Sequence, residues 1–187
     1  LERRGARVML LTTEGFTDVY HIARATRRDL FNVHYHKRAP LIRLRDAFGV
    51  AERTDSTGTV RRAVDEATVR LLAAKARDDG YEAIAVCFLF GYLNPSNELR
   101  ARDVILEEWP EAIVSISGEV APEWREYERT SSTVMDAYIS PVIRRYLDRF
   151  ESRMRAAGVA APLKVMQSNG GIMSARRAAG VPLQTLM

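Results

Sequence analysis

Residues 83–90 read Ala-Ile-Ala-Val-Cys-Phe-Leu-Phe, eight apolar residues without a break. A half-exposed strand alternates and an amphipathic helix shows a polar face. An unbroken run of this length is the pattern of a strand covered on both faces. It is also far too short to cross a bilayer. Such a strand needs layers above and below it, and its flanks supply them. Asp65 caps a helix expected over residues 66–78, with Val69, Leu72, Ala73 and Ala76 on one face and Gly80 near the C′ position. Asn94-Pro95 opens a second helix, asparagine as cap and proline at the first helical position. It runs to about residue 108, turns Leu99, Val104 and Ile105 inward, and ends before Pro110. Residues 112–117 form the next strand. Helix, strand, helix and strand joined by short links predict parallel strands with crossover helices, which is an α/β fold.

The rest of the chain is read by the same rules. Residues 6–12 form a strand. Thr13 then caps a short helix over 19–25, with Glu14 in the favourable first turn. Residues 27–40 are irregular. Ile42 and Leu44 alternate with Arg43 and Arg45, which suggests a strand over 41–45. Asp55-Ser56-Thr57-Gly58 is a turn, and the return strand of a hairpin begins at Thr59. A long helix is expected over 123–157. Val134, Met135, Tyr138, Ile139, Val142, Ile143, Tyr146, Leu147, Phe150 and Met154 recur on it at i, i+3, i+4 spacing. Pro141 must kink this helix or start a new one with Ser140 as cap. Gly158 ends it. A strand over 163–167 leads into the tight loop Ser168-Asn169-Gly170-Gly171, and the apolar end at 183–187 reads as a strand or its lead-in.

Composition narrows the classes of function. The chain has 187 residues, 47% of them hydrophobic, enough to bury a proper core. Cys87 is the single cysteine, so no internal disulfide forms and nothing asks for an oxidising compartment. Leu1-Glu2-Arg3-Arg4 is followed by no apolar signal region, and a cytoplasmic location is expected. The formal charge is +4, but only three of the 28 basic residues are lysines, and the arginines are interleaved with 24 acids. Phosphate backbones are held by clustered positive charge, so no nucleic-acid partner is expected.

Four groups of residues carry candidate chemistry. Arg125-Glu126-Tyr127-Glu128-Arg129-Thr130-Ser131-Ser132-Thr133 is a dense polar run that suits either a polar pocket or a solvated helix start. Ser168-Asn169-Gly170-Gly171 suits either a close backbone approach to an anion or a plain turn. His34 and His36 would share a face on a strand, but no third metal ligand of the right kind stands near them. Cys87 reads as a small core residue, and His21 as structural.

Four segments also resemble one family, in the same order along the chain. Thr12-Thr13-Glu14-Gly15-Phe16-Thr17-Asp18-Val19 is similar to the "TTxGFxDV" segment of the hydantoinase A / 5-oxoprolinase family. The stretch Ala85-Val86-Cys87-Phe88-Leu89-Phe90-Gly91-Tyr92-Leu93-Asn94-Pro95 resembles its "AVCFLHSYxNP". Arg125-Glu126-Tyr127-Glu128-Arg129-Thr130-Ser131 resembles "REYERTS", and Met166-Gln167-Ser168-Asn169-Gly170-Gly171 resembles "MQSNGG". Phe90-Gly91 departs from the pattern, standing where histidine and serine are usual, and residues 33–37 are untypical.

The resemblance implies a parallel βαβ core like part of an actin, sugar-kinase or Hsp70 lobe, with a long kinked helix. It implies residues 1–120 as the remainder of the N-terminal lobe, and 121–187 as the long helix with the start of the next domain. It implies ATP-dependent hydrolysis of a small cyclic amide, or carboxylation of a ketone in a related branch, with ATP and Mg²⁺ as cofactors and a hydantoinase B-type subunit or domain as partner. The family's two "DxGGTxTD"-like phosphate loops do not occur in this sequence. One is expected before Leu1 and one beyond Met187, so the chain is expected to be an internal fragment, silent alone, with no nucleotide or metal site of its own. The residues carried over as substrate- or phosphate-proximal are Arg125, Glu128, Arg129, Thr130, Ser168, Asn169, Gly170 and Gly171, with a buried Arg–Glu pair positioning a carbonyl. The alternative is a non-catalytic scaffold or interaction module. Its apolar helix stripe would be covered by a partner subunit or by the missing segments, and a homo-oligomer is a further partner arrangement open to it.

Overall fold

The computed structural model describes residues 5–24, 29–37 and 39–185. The expected helix end at 25, part of the irregular segment, and residues 1–4 and 186–187 lie outside these. Strands β1 (Val8–Thr13), β2 (Ala47–Val50), β5 (Ala83–Cys87) and β6 (Val114–Ile116) form one sheet in the order β2-β1-β5-β6. All three pairings are parallel. The two-stranded pair β3 (Arg53–Thr54) and β4 (Val60–Arg62) is the hairpin predicted around residues 55–58.

The period of two along each strand sorts side chains into two cores. Met9 and Leu11 of β1, and Ile84 and Val86 of β5, face α2 (Glu66–Asp78) and α3 (Ser96–Glu108). Val8 and Leu10, with Ala83, Ala85 and Cys87, face the other way. There they meet Tyr20 of α1 (Val19–Ile22) and Val134 and Ala137 of α5 (Glu126–Ala156). The sheet is thus covered on both faces, as the apolar run requires. Asp65 caps α2, its Oδ1 accepting from the Ala67 and Thr68 N–H groups. Asn94 Oδ1 accepts from the Ser96 N–H at the start of α3.

Three expectations are corrected. Residues 41–45 are not a strand: Leu44–Asp46 is a 3₁₀ turn, and the strand is β2, just after it. Thr13 is not a helix cap but the last residue of β1. Its side chain is held by Glu52 and Leu89, as described below. Of the apolar end, residues 183–185 lie in a 3₁₀ turn, Pro182–Thr185, and not in a strand, the Leu183 N–H being captured by Asp136 Oδ1 at 2.9 Å; residues 186–187 lie outside the described ones.

Helix α5 runs through Pro141 as one assigned helix, and its apolar residues serve several partners rather than one. Val134 packs under the sheet, and Ile139 packs on Val120 of α4 (Ser117–Val120) together with Val181 and Leu183. Ile143 and Leu147 meet a small unit made of β7 (Lys164–Met166), β8 (Ile172–Ser174) and α6 (Ala175–Gly180). No helix among the described residues is long and apolar enough to cross a membrane.

Candidate functional site

Parallel pairing puts the carboxyl ends of β1, β5 and β6 along one edge of the sheet, the edge where open α/β sheets bind ligands. Past Cys87 the chain leaves the sheet, and its backbone groups need new partners. Buried side chains supply them. The Phe88 N–H donates to Glu98 Oε1 at 2.9 Å, and the Leu89 N–H donates to Thr13 Oγ1 at 2.9 Å. The Phe88 carbonyl accepts from Arg129 Nη2 at 2.7 Å.

Each of these holders is itself held. Glu98 is fully buried and also accepts from Ser117 Oγ at 2.5 Å and from the Gly118 N–H at 2.8 Å. Thr13 Oγ1 donates to Glu52 Oε1 at 2.5 Å, and Glu52 Oε2 accepts from Asn97 Nδ2 at 2.7 Å. Burial pushes the Glu98 and Glu52 carboxyls above their ordinary range. Gly91 is needed here for closeness: a Cβ on it would lie 2.5 Å from Glu98 Oε1.

Above this network opens a cavity of about 590 Å³, lined by the end of α1, residues 89–90 and the start of α5. Phe16, Val19, Leu89, Phe90 and Tyr127 give it apolar wall, while Arg24, Arg53, Arg125, Glu126 and Glu128 give it charge. A second hollow of only about 10 Å³ shares Phe16, Val19, Leu89 and Glu126 with the larger cavity. It adds Thr12, Cys87, Phe88, Arg129 and Thr130, and so lies at the cavity floor.

Backbone strain marks the same place. Ala23, Phe90 and Arg125 are the non-glycine residues with positive φ among those described, at 52°, 54° and 88°. All three line the larger cavity. Such conformations cost about 1–3 kcal/mol each and persist where surrounding structure enforces them, which is typical of ligand sites. Arg125→Gly is therefore expected to raise the unfolding free energy by about 1 kcal/mol, measured by urea denaturation, because glycine adopts that φ freely.

The carried-over residues fall into two groups. Arg125 stacks on Trp124, with 4.7 Å from guanidinium to ring centroid, and Glu128 pairs with Arg24 across the cavity. Arg129 and Thr130 are buried at the floor, where Thr130 Oγ1 lies 3.2 Å from Cys87 Sγ. The expected buried Arg–Glu pair does not form between Arg129 and Glu128. Neighbours on a helix point about 100° apart, so one faces the floor and the other the rim.

Ser168, Asn169, Gly170 and Gly171 form the loop between β7 and β8, away from this cavity. Their unit meets α5 near Leu147, about 27 Å along the helix from Arg129. Asn169 Oδ1 accepts from the Gly171 N–H at 3.0 Å, and Gly170 takes φ 87°, so the loop satisfies itself as a turn. His34 and His36 are exposed, and no group of three or more His, Cys, Asp or Glu suited to a metal ion occurs among the described residues. Cys87 is buried in the core, and His21 Nε2 lies 3.1 Å from the Ile42 carbonyl. Sequence reasoning missed Glu98, Glu52, Asn97 and Asp136.

A parallel sheet covered by helices on both faces, with a strained hollow at its carboxyl edge, is an α/β lobe, and that edge is where open α/β sheets hold their ligands. The sequence profile of the hydantoinase/oxoprolinase N-terminal region matches residues 1–109, and that of hydantoinase/oxoprolinase matches residues 129–187. The chain belongs to the hydantoinase/oxoprolinase family. It is 36% identical over 176 residues to an uncharacterised protein of Methanocaldococcus jannaschii, covering 94% of this chain and 26% of that one. It is 32% identical over 174 residues to caprolactamase subunit alpha of Pseudomonas jessenii, covering 92% of this chain and 25% of that one. The crystal structure of the ATP-dependent caprolactamase of that organism superposes with a TM-score of 0.84 at 30% identity, over 98% of this chain and 28% of that one. Nucleotide-free acetone carboxylase gives 0.80 at 27% identity, with the same coverage. The chain thus spans about a quarter of the length of these relatives.

Proposed function

We propose that this chain forms the substrate-side lobe of an ATP-dependent enzyme that opens small cyclic amides. The observation that carries the reading is the cavity of about 590 Å³ at the carboxyl edge of the sheet, walled by three left-handed residues. Its apolar walls suit the carbon face of a small ring, and its arginines and glutamates suit polar substituents. The similarity to an ATP-dependent caprolactamase supports the choice of amide chemistry. The similarity to acetone carboxylase supports a second reading, ATP-dependent ketone carboxylation.

ATP and Mg²⁺ belong to the proposal for the assembled enzyme. The described residues gather no cluster of carboxylates for a metal ion, and the sequence holds no phosphate loop of the expected kind. The assignment is to the substrate side, with Arg125 and Glu128 at the rim and Arg129 and Thr130 at the floor. Ser168, Asn169, Gly170 and Gly171 are left out of it. A division of the chain near residue 120 is part of the same reading, supported by the gap between the two profile matches. So is a subunit contact on α5, where Met135, Val142, Tyr146 and Phe150 are exposed and Tyr146 stacks on Phe150. A hydantoinase B-type subunit is the partner proposed for it, and a second copy of the chain is the alternative.

The test is ATP hydrolysis by the assembled enzyme with caprolactam, 5-oxoproline, hydantoin or acetone plus bicarbonate. Phosphate release coupled to ring opening of a cyclic amide is expected. Release with acetone and bicarbonate alone would favour carboxylation, and no coupled release with any of the four would remove both readings.

A further inference from the structure

We infer that the hollow at the cavity floor receives one sp² oxygen of the substrate, the carbonyl oxygen of the cyclic amide, and that Arg129 binds it. This rests on the functional reading above and names the atom that the site recognises. Arg129 is 1% exposed, and among the described residues its Nε and Nη1 atoms have no hydrogen-bond partner. Only Nη2 is used, on the Phe88 carbonyl; among the described residues no carboxylate oxygen lies within 4 Å of the guanidinium, and the nearby buried Glu98 acts on it only as a more distant charge. Buried donors almost always have acceptors, and a cationic donor most of all. The geometry of the guanidinium is nonetheless fixed. The Phe88 carbonyl holds one end, and the Tyr92 ring lies 5.5 Å from its carbon.

Arg129 lines a space of about 10 Å³, enough for one water-sized atom. The other walls select the kind of atom. Phe16, Val19 and Leu89 are apolar, and the Thr130 hydroxyl is already directed at Cys87 Sγ. Glu126 also lines the hollow and repels a dianion. A phosphate has four oxygens to satisfy and more bulk than this space admits. A carbonyl brings one oxygen, bears no net charge, and carries its ring into the larger cavity above. Cationic donors already in place strengthen their hold as negative charge grows on that oxygen during activation.

The experiment observes the Arg129 Nε–H directly in the ¹⁵N-labelled chain by NMR, without ATP. The signal is identified by its loss in Arg129→Lys, or in Arg129→Met if the lysine variant does not fold. The wild-type chain is then titrated with 2-pyrrolidinone, and separately with inorganic phosphate. A saturable shift of the Arg129 signal with 2-pyrrolidinone, with the exposed Arg70 signal unmoved, is expected. No shift with 2-pyrrolidinone overturns the inference, whatever phosphate does. The two readings separate cleanly. Lactam binding at Arg129 without ATP-coupled turnover would sink the functional reading alone, and turnover with a silent Arg129 would sink this one alone.

Discussion

Replacing Glu98 by alanine is expected to lower the unfolding free energy by about 3–5 kcal/mol, measured by urea denaturation. One carboxylate accepts from the Phe88 N–H, the Gly118 N–H and the Ser117 hydroxyl. Its removal strands two backbone donors beneath the helix layer, each at about 1–3 kcal/mol. Glu98→Gln keeps one acceptor oxygen and should cost about half as much. A loss under about 1 kcal/mol for the alanine variant would mean that water replaces the carboxylate, and the network would then not be what holds residues 88–90.

The same carboxylate gives the pH dependence a sign. Burial raises the Glu98 carboxyl above its ordinary 4.5, and burial likewise raises Glu52 and Asp136. A folded-state value above the unfolded one means that the folded chain binds more protons, so stability falls as pH rises through that interval. The exposed Asp55 and Asp65 act oppositely. Hydrogen bonds from Thr57 and Thr68 lower them, and their contribution is lost in stronger acid. The unfolding free energy should therefore rise from neutral pH toward mild acid and then drop below the ordinary carboxylate range. Glu98→Gln should flatten the first part of that curve and leave the second unchanged.

Arg129→Met is expected to separate activity from stability. One preorganised donor to a developing oxyanion is worth about 10²–10³ in kcat, so a loss of about 100-fold is expected in the assembled enzyme. Unfolding free energy should fall by no more than about 1–3 kcal/mol, because the buried Phe88 carbonyl loses its donor while the cost of burying an incompletely paired cation is relieved. Methionine keeps much of the volume, and Phe88 loses a single acceptor contact. The loss should fall on kcat more than on KM, since the bond strengthens as charge develops. A variant with full kcat would show that the Arg129 guanidinium plays no part in turnover.

What the sequence showed clearly was local. The buried strand and the Asp65 cap each rest on a few adjacent residues and both appear in the structure, while the helix announced by Asn94-Pro95 starts one residue later than read, at Ser96 with Pro95 in the cap position. Strand β2 was missed because Ala-Phe-Gly-Val has almost no pattern, and only its register against β1 makes it a strand. The polar run at 125–130 was recognisable by its density. The network beneath it was not. Glu98 sits in the first turn of a helix, where an acid is ordinary. It becomes a buried acceptor only because Ser117 and Gly118, about twenty positions on, fold over it. Arg129 and Glu128 are adjacent in the sequence and are divided by the angular step of the helix.

Helix α5 has 31 residues and so rises about 46 Å, touching the cavity at the sheet's carboxyl edge at one end and the β7–β8 hairpin at the other. Pro141 stands near its middle. It has no N–H to give the Ala137 carbonyl, so that turn is the least stiff point of the rod. Before it, Val134 and Ala137 are pressed against the small side chains of β5, and Asp136 is tied to Ser115 and Leu183. The chain spans that point a second time: the unit packed on the far half of the helix continues from α6 into Leu183, whose N–H is held by Asp136 on the near half, so the two halves are braced across the proline from outside the helix.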